Sequence, residues 1–535
     1  MIGNKNGVLS EIKALCCLFV LTKKMEYSVF YSLALFLVVC GVTKAFHSIW
    51  WRPKLVERRL KRQGIRGSAY KPLVGDVKEY VKMITEAWST PMNLNHKIVQ
   101  RVDPFTAMSA KKYGKVSMCW FGTSPRLMVN DPEMMKEVLS NKVGSFEKPP
   151  LNPLILKLTK GLTALKGEEW AKHRRIINPA FHLERLKGMM PAFTISCSNM
   201  IEHWKQLAAD QDTVEVDVWP ELQRLTADVI SRAAFGSNFE EGKKIFELLK
   251  QLTLLTLEAM QTLYLPGFRF VPTAKNRRRE KLNKEIKTMI RNLILRKENS
   301  MSNQENNADD LLCLLLQSKK KENQHEGDGL TIDEVMEECK QFYLAGQETV
   351  ASYLTWTVIV LAMHSEWQEK ARQEVLQICG KKEPNFESLS HFKIVTMILY
   401  EVLRLYPPVI GQYQHTYAET KIGEVLIPAG VDVTLPTLLI HHDPEYWGDD
   451  ADQFKPERFS AGVSKASKDQ LAFFPFGWGP KTCIGQNFAM LEAKVALAMI
   501  LQNFSFELSP SYAHAPHTVM TLQPQHGAQL KIHQL

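Results

Sequence analysis

Apolar and polar positions recur along this chain with different periods, and each period predicts an element. Near the start, Tyr27 to Val42 (YSVFYSLALFLVVCGV) is an almost uninterrupted apolar run. Crossing a bilayer takes about 20 apolar residues. The run reaches that length once it extends to Phe46, so a single transmembrane anchor is predicted over residues 26–46. Trp50 and Trp51 come next as interfacial aromatics, and then seven basic residues crowd one stretch: Arg52, Lys54, Arg58, Arg59, Lys61, Arg62 and Arg66. Four basic residues precede the run (Lys5, Lys13, Lys23, Lys24), so the positive-inside rule places the body of the chain in the cytosol. A cleaved signal peptide is the competing reading. No small-residue cleavage site precedes Trp50, and the basic flank resists translocation, which favours the anchor. Met25 makes a compact start before the anchor, so residues 1–24 read as an extension and translation is expected to be able to begin at Met25.

Residues 47–75 read as a basic linker ending in a glycine-containing hinge, Gly64 to Gly75, ahead of a single domain over 76–535. Lys115 to Val129 alternates with period two, which predicts two short strands joined by a Gly122-Thr123-Ser124-Pro125 turn. From about residue 131 helical periodicity dominates. Asn299 to Gly329 is polar apart from DDLLCLLL, and is expected to be an exposed connection around one short helix. The longest predicted helix runs from Ile332 to about Met363, with Thr331 and Glu334 spaced as a capping box. At 1.5 Å per residue it spans on the order of 45 Å, and its middle is apolar nearly all round, so it should cross the core. A short β region is expected around Tyr417 to Leu439, with IPAG supplying a turn. Leu252–Leu265 could line an entrance or be a plain core helix. The predicted fold is mainly α with a minor β part.

Composition changes this picture in two places. The net charge of +10 over 535 residues suits an anionic partner such as a membrane surface or an acidic protein. Much of it lies in the linker, however, and the body has no basic recognition element, which argues against nucleic acid. The nine cysteines are an odd number without a CxxC pair, which argues against a disulfide framework and a structural zinc site.

One cysteine stands apart. In Phe474–Lys494 (FPFGWGPKTCIGQNFAMLEAK), Gly477, Gly479 and Pro480 forbid a helix, Cys483 and Gly485 come after them, and helical periodicity then begins. Free amides at a helix start favour a thiolate, and glycines let a flat group approach the backbone. A lone cysteine before a helix is still more often a buried structural residue. Glu401 and Arg404 share a helix face at i,i+3; spacing alone would allow a surface ion pair. Trp170 and Arg174, beside His173 and Arg175, would ordinarily be a solvated basic face. Gly346 sits mid-helix at a cost of about 1 kcal/mol relative to Ala. The hydroxyl of Thr349 could simply bond back to the preceding turn.

Taken together, these motifs resemble those of plant cytochrome P450 enzymes over roughly residues 26–530. Phe476, Gly477, Gly479, Cys483 and Gly485 match the family's haem loop, and Glu401 with Arg404 (YEVLRLYPP) its Glu-x-x-Arg helix. Pro456-Glu457-Arg458-Phe459 matches its PERF segment, Ala345-Gly346-Gln347-Glu348-Thr349 its oxygen-binding helix, and Trp170-x-x-x-Arg174 its haem-contacting helix. LPGFRFVPTAKNRRR (265–279) is similar to the clan that includes secologanin synthase and triterpenoid, gibberellin, brassinosteroid and cytokinin oxidases.

The resemblance implies the P450 fold and haem b held by Cys483 as metal ligand, with Trp170, Arg174, Lys481, Phe476 and Gly346 around it. It implies Thr349 and Glu348 as catalytic residues on a helix that opens locally over the iron, and a structural network of Glu401, Arg404 and Arg458. The reaction implied is insertion of one atom of O2 into a C–H bond of a small apolar, terpenoid or hormone-like substrate. Electrons would come from NADPH through a reductase on the same membrane, the endoplasmic reticulum, since the chain has no nucleotide-binding glycine loop of its own.

Three departures stand out: Lys481 where the family usually has Arg, Gln414 near another usual Arg, and a hinge (GIRGSAYKP) without the usual proline pair. They imply weaker haem retention and a looser hinge. They motivate a second class, a haem-binding protein with weakened or lost turnover. A peroxide-driven isomerase or dehydratase is a third, disfavoured by the retained Thr349.

Overall fold

The computed structural model describes Lys24 and residues 29–141, 144–209, 213–260, 267–302, 310–322 and 329–535. The expected extension apart from Lys24, the start at Met25, the end of the 252–265 segment, and residues 303–309 and 323–328 of the polar 299–329 connection lie outside the described residues. The chain is 62% helix and 11% strand, the mainly α composition that the periodicities predict.

Eight helices carry the argument: α1 (Val29–Arg62), α2 (Gly167–Ile177), α3 (Val218–Phe235), α4 (Phe239–Met260), α5 (Leu311–Glu322), α6 (Ile332–Met363), α7 (Ile394–Leu405) and α8 (Gln486–Asn503). The apolar part of α1 is long and apolar enough to cross a membrane and is not buried against any of the described residues. The helix does not stop at the basic cluster. It runs on to Arg62, where Val56 and Leu60 turn inward and Glu57 is buried between Lys54 (2.8 Å) and Lys61 (2.7 Å). Beyond it, Gln63 bonds both backbone groups of Leu426 (2.7 and 2.9 Å), and Arg59 pairs with Glu419 at 2.6 Å. The expected loose hinge is therefore a docked segment: polar side chains tie it to the body, and Arg66–Gly67 joins a sheet as strand β1.

The sheets are small. Strands β2 (Val116–Phe121) and β3 (Ser124–Val129) form the predicted hairpin, with a turn of only Gly122–Thr123; Ser124 and Pro125 already belong to the strand. With β4 (Phe146–Glu147), β6 (Gln412–Thr416) and β9 (Asp432–Leu435) they make a six-stranded sheet in the order β1-β2-β3-β9-β6-β4. Strand β5 (Thr213–Asp217) lies elsewhere, and β7 (Thr420–Ile422) pairs with β8 (Val425–Ile427) in the expected β region before the Pro428–Gly430 turn. At the C-terminal end β10 (Phe504–Leu508), β13 (Gln529–Gln534) and β5 make a three-stranded sheet. There β11 (Pro516–Val519) and β12 (Thr521–Pro524) form a hairpin.

Helix α6 has the predicted bounds and the predicted capping box, the Thr331 hydroxyl accepting from the Glu334 amide and Glu334 from the Thr331 amide. It is buried from Val335 to Leu344 and again from Val350 to Leu361, and only Ala345–Thr349 between them is partly open. It is also helical without interruption, so the expected local opening is absent. Gly346 has another reason to be glycine: a Cβ there would stand 2.7 Å from the Ile230 side chain of α3. The Leu311–Leu316 part of α5 was expected in an exposed connection, yet Leu311, Leu312, Cys313, Leu315 and Leu316 are buried. Their stripe packs against α2, α3 and α6, which outweighs the polar flanks.

Candidate active site

The loop before α8 is built from backbone hydrogen bonds that its glycines permit. Gly477 and Gly479 have φ of +80° and +71°, conformations that other residues adopt only with strain. A Cβ on Gly479 would lie 2.6 Å from the Leu139 carbonyl oxygen, so the loop packs backbone on backbone. Partly buried Phe476 anchors the loop in the core, and its carbonyl accepts from the Cys483 amide at 2.8 Å. The chain then enters α8 at Gln486.

Cys483 is solvent-accessible, although the protein encloses it at longer range, which marks it as lining an interior cleft rather than the outer surface. Enclosure pushes its thiol above the usual range, against the Gly485 amide, which donates to the sulfur, and the positive charge of Arg174. The thiolate expected from the helix start is therefore not favoured by the protein alone. A bound metal cation would supply the missing charge, since coordination deprotonates a thiol.

Arg174 and Trp170 project from α2. The guanidinium is half-buried, and among the described residues no carboxylate lies within ion-pair reach of it. Lys481 sits 5.6 Å from the centre of the Trp170 ring and is paired with Glu147 of β4. Lys148, next in the chain, is lowered to about 8 by burial and by the nearby Lys481 charge, with Glu147 opposing. On β6, Gln412 approaches Gly477, and Gln414 lies on the same strand face two residues on. The buried Gln414 Oε1 finds no hydrogen-bond partner among the described residues. A sulfur on a glycine loop, an unpaired guanidinium, two lysines, an indole and an unsatisfied amide make a donor set that fits an iron macrocycle with acidic side arms. Glu147 and Lys148 have no motif to announce them.

Behind the loop, Glu401 and Arg404 are fully buried and paired through two bonds of 2.7 and 2.8 Å. Arg404 also donates to the carbonyls of His441 (2.8 Å), Ala451 (2.7 Å) and Gln453 (3.1 Å). Arg458 closes on Glu401 at 3.5 Å and on Asp450 at 2.6 Å. The structure thus brings the three predicted network residues together in the interior, rather than leaving an ion pair on the surface.

On α6 the picture is divided. The Thr349 hydroxyl bonds back to the Ala345 carbonyl at 2.8 Å, the bland alternative that the sequence left open. Glu348 points toward the C-terminal hairpin, where Gln523 Nε2 donates to Oε2 at 3.0 Å. Burial raises the Glu348 carboxyl above the usual carboxylate range, partly offset by Lys250 and by hydrogen bonds from Thr521 and Gln523. Sequence reasoning missed Gln523, which has no local signal.

The cytochrome P450 family model matches residues 89–532. The chain is 52% identical over 491 residues to cytochrome P450 CYP72A616 of Paris polyphylla, covering 91% of this chain and 95% of that protein. It is 50% identical over 496 residues to an 11-oxo-beta-amyrin 30-oxidase of Glycyrrhiza uralensis (91% and 94% covered). It is 48% identical over 498 residues to secologanin synthase 2 of Catharanthus roseus (92% and 94%). Family, relatives and the Cys483 loop converge, and the chain belongs to the cytochrome P450 family, as a haem-dependent monooxygenase of the plant CYP72 clade.

Proposed function

We propose that this monooxygenase inserts one oxygen atom of O2 into a C–H bond of a small apolar, terpenoid-like substrate, with electrons from NADPH delivered by a membrane-bound reductase. Cys483 carries the reading: it is an interior sulfur on a glycine loop, with the unpaired Arg174 beside it. The relatives named for amyrin oxidation and secologanin synthesis support the substrate class. Residues 26–46 act as the membrane anchor, 47–75 as a linker and 76–535 as the catalytic body, in the endoplasmic reticulum membrane with the body facing the cytosol. The basic flank of the anchor supports that orientation.

When bound, the haem supplies dioxygen activation, its thiolate ligand pushing electron density toward O–O cleavage. The chain's own residues do the rest. Cys483 would hold the iron, while Arg174, Trp170 and Lys481 would hold the acidic side arms, Lys481 sharing its charge with Glu147. Glu348 would hold and pass protons, and the Thr349 hydroxyl, once released from the Ala345 carbonyl, would be free to donate a hydrogen bond beside it. Glu401, Arg404 and Arg458 keep the loop's underside rigid.

A carbon monoxide difference spectrum of the reduced protein beside Cys483→Ala tests the ligand. A strongly red-shifted Soret band that vanishes in the variant is expected, and a well-folded protein without haem would overturn the proposal. A second reading, haem binding with weakened turnover, draws on the Lys481–Glu147 pair and on Gln414. Absence of substrate-dependent NADPH oxidation with a reductase across a terpenoid and hormone panel would favour it.

A further inference from the structure

Glu348, Ser352 and Trp356 are spaced four residues apart, so they stand one above another on a single face of α6. All three bond two consecutive residues of β12. Trp356 Nε1 donates to the Leu522 carbonyl at 2.9 Å, Ser352 Oγ donates to the same carbonyl, and Gln523 Nε2 donates to Glu348. The Leu522 amide in turn donates to the Pro408 carbonyl at 3.0 Å, fixing the strand from its other side. Gln523 Nε2 also reaches Thr521 Oγ1 (3.1 Å) and the Val519 carbonyl (3.2 Å), across a turn whose Met520 has φ +65°. The amide is thus locked within its own hairpin before it meets the carboxyl.

On its other side Glu348 lies, with Gln347, on a cleft of about 220 Å³ between α3 and α4. Arg224 from α3 and Lys243, Glu247 and Lys250 from α4 line that cleft. A buried carboxylate has few acceptable directions, because its charge must meet either a cation or an aimed donor. Here the cations are in the cleft and the aimed donors are on the hairpin: the Gln523 amide and the Thr521 hydroxyl, which itself accepts from that amide.

We infer that Gln523 is a positioning residue for the monooxygenase reaction: its side-chain amide fixes the direction of the Glu348 carboxyl, so the β11–β12 hairpin governs proton delivery together with α6. The inference rests on the proton-passing role proposed for Glu348. Without the amide, the carboxyl turns to Lys250 and its neighbours in the cleft, and O2 leaves with two electrons and two protons as hydrogen peroxide instead of being inserted.

The test uses the full-length, haem-loaded protein in phosphatidylcholine vesicles. The infrared carboxyl band that disappears in Glu348→Gln is titrated against pH, and peroxide formed per NADPH is measured with a reductase added. In Gln523→Leu, loss of a donor to the ionised form should move the titration midpoint up by about one pH unit. Peroxide per NADPH should rise about threefold or more, with the carbon monoxide spectrum unchanged. The Glu348→Gln/Gln523→Leu double variant should match Glu348→Gln alone, a non-additivity that a merely structural role would not produce. Gln523→Asn, a methylene shorter, keeps the polarity and should repeat the effect if Gln523→Leu does not load haem. An unmoved midpoint and unchanged peroxide in the Gln523 variants, with Glu348→Gln uncoupled, overturn the inference alone. Normal coupling in Glu348→Gln overturns the proton role itself, and the inference with it.

Discussion

Arg404 has five N–H donors and uses all of them while fully buried: two bonds go to Glu401 and three to backbone carbonyls of a segment some forty residues further on. Such a side chain is costly to bury and costlier to remove. Arg404→Leu leaves Glu401 buried with only Arg458 and the Lys455 amide beside it, and is expected to lower the unfolding free energy by about 3–5 kcal/mol. Chemical unfolding monitored by circular dichroism measures this directly, and a loss below about 1 kcal/mol would mean the pair is solvated. Thr349 is the opposite case, since among the described residues the only bond of its hydroxyl is to the preceding turn. Thr349→Ala should therefore change stability by less than about 1 kcal/mol while lowering product formed per NADPH. Undiminished coupling in that variant would leave the hydroxyl with its back-bond and nothing else.

Between elements, the contact of α3 with α6 is set by a missing side chain. Gly346→Ala places a methyl 2.7 Å from Ile230. Overpacking of this kind costs typically about 1–3 kcal/mol, and Ile230→Val in the same chain should recover part of it. Additive losses in the double variant would show that the two residues do not meet. Helices α2 and α6 are tied by His173, whose Nδ1 lies 2.6 Å from Glu338. Burial opposes the imidazolium, but Glu338 and Glu334 outweigh it and hold the ring above its usual 6.5. A folded-state value raised in this way stabilises the fold fully below 6.5, and the contribution is lost as pH rises through the folded value. Unfolding midpoints of wild type and His173→Gln should therefore differ most near about pH 6 and converge toward about pH 8. A constant difference across that range would place the bond in the neutral ring.

For the whole molecule, α1 serves two environments at once. Its apolar stretch is unburied among the described residues, whereas Val56, Glu57 and Leu60 near its end are part of the core. Deleting residues through Phe46 should leave the thermal midpoint of the body nearly unchanged. Deleting further, through Gly64, removes two buried aliphatic side chains worth about 1.5–3 kcal/mol each and should lower it; equal midpoints would mean that the linker only rests on the surface. The same division between near and far runs through the properties that the residues disclose. Thr331 and Glu334, Glu401 and Arg404, and the glycines before Cys483 act within one turn of the backbone. Their partners are a few residues away, so the order of residues by itself determined the long core helix, the paired charges and the sulfur loop. The membrane run is equally local, because a bilayer reads only length and apolarity. The direction of Glu348, the reason for Gly346, the burial of α5 and the sheet that captures Arg66–Gly67 each depend on a surface contributed from far along the chain. Only the tertiary structure decided these. A helix face has no preference of its own until another element packs against it, and a strand edge takes its register from whichever partner arrives.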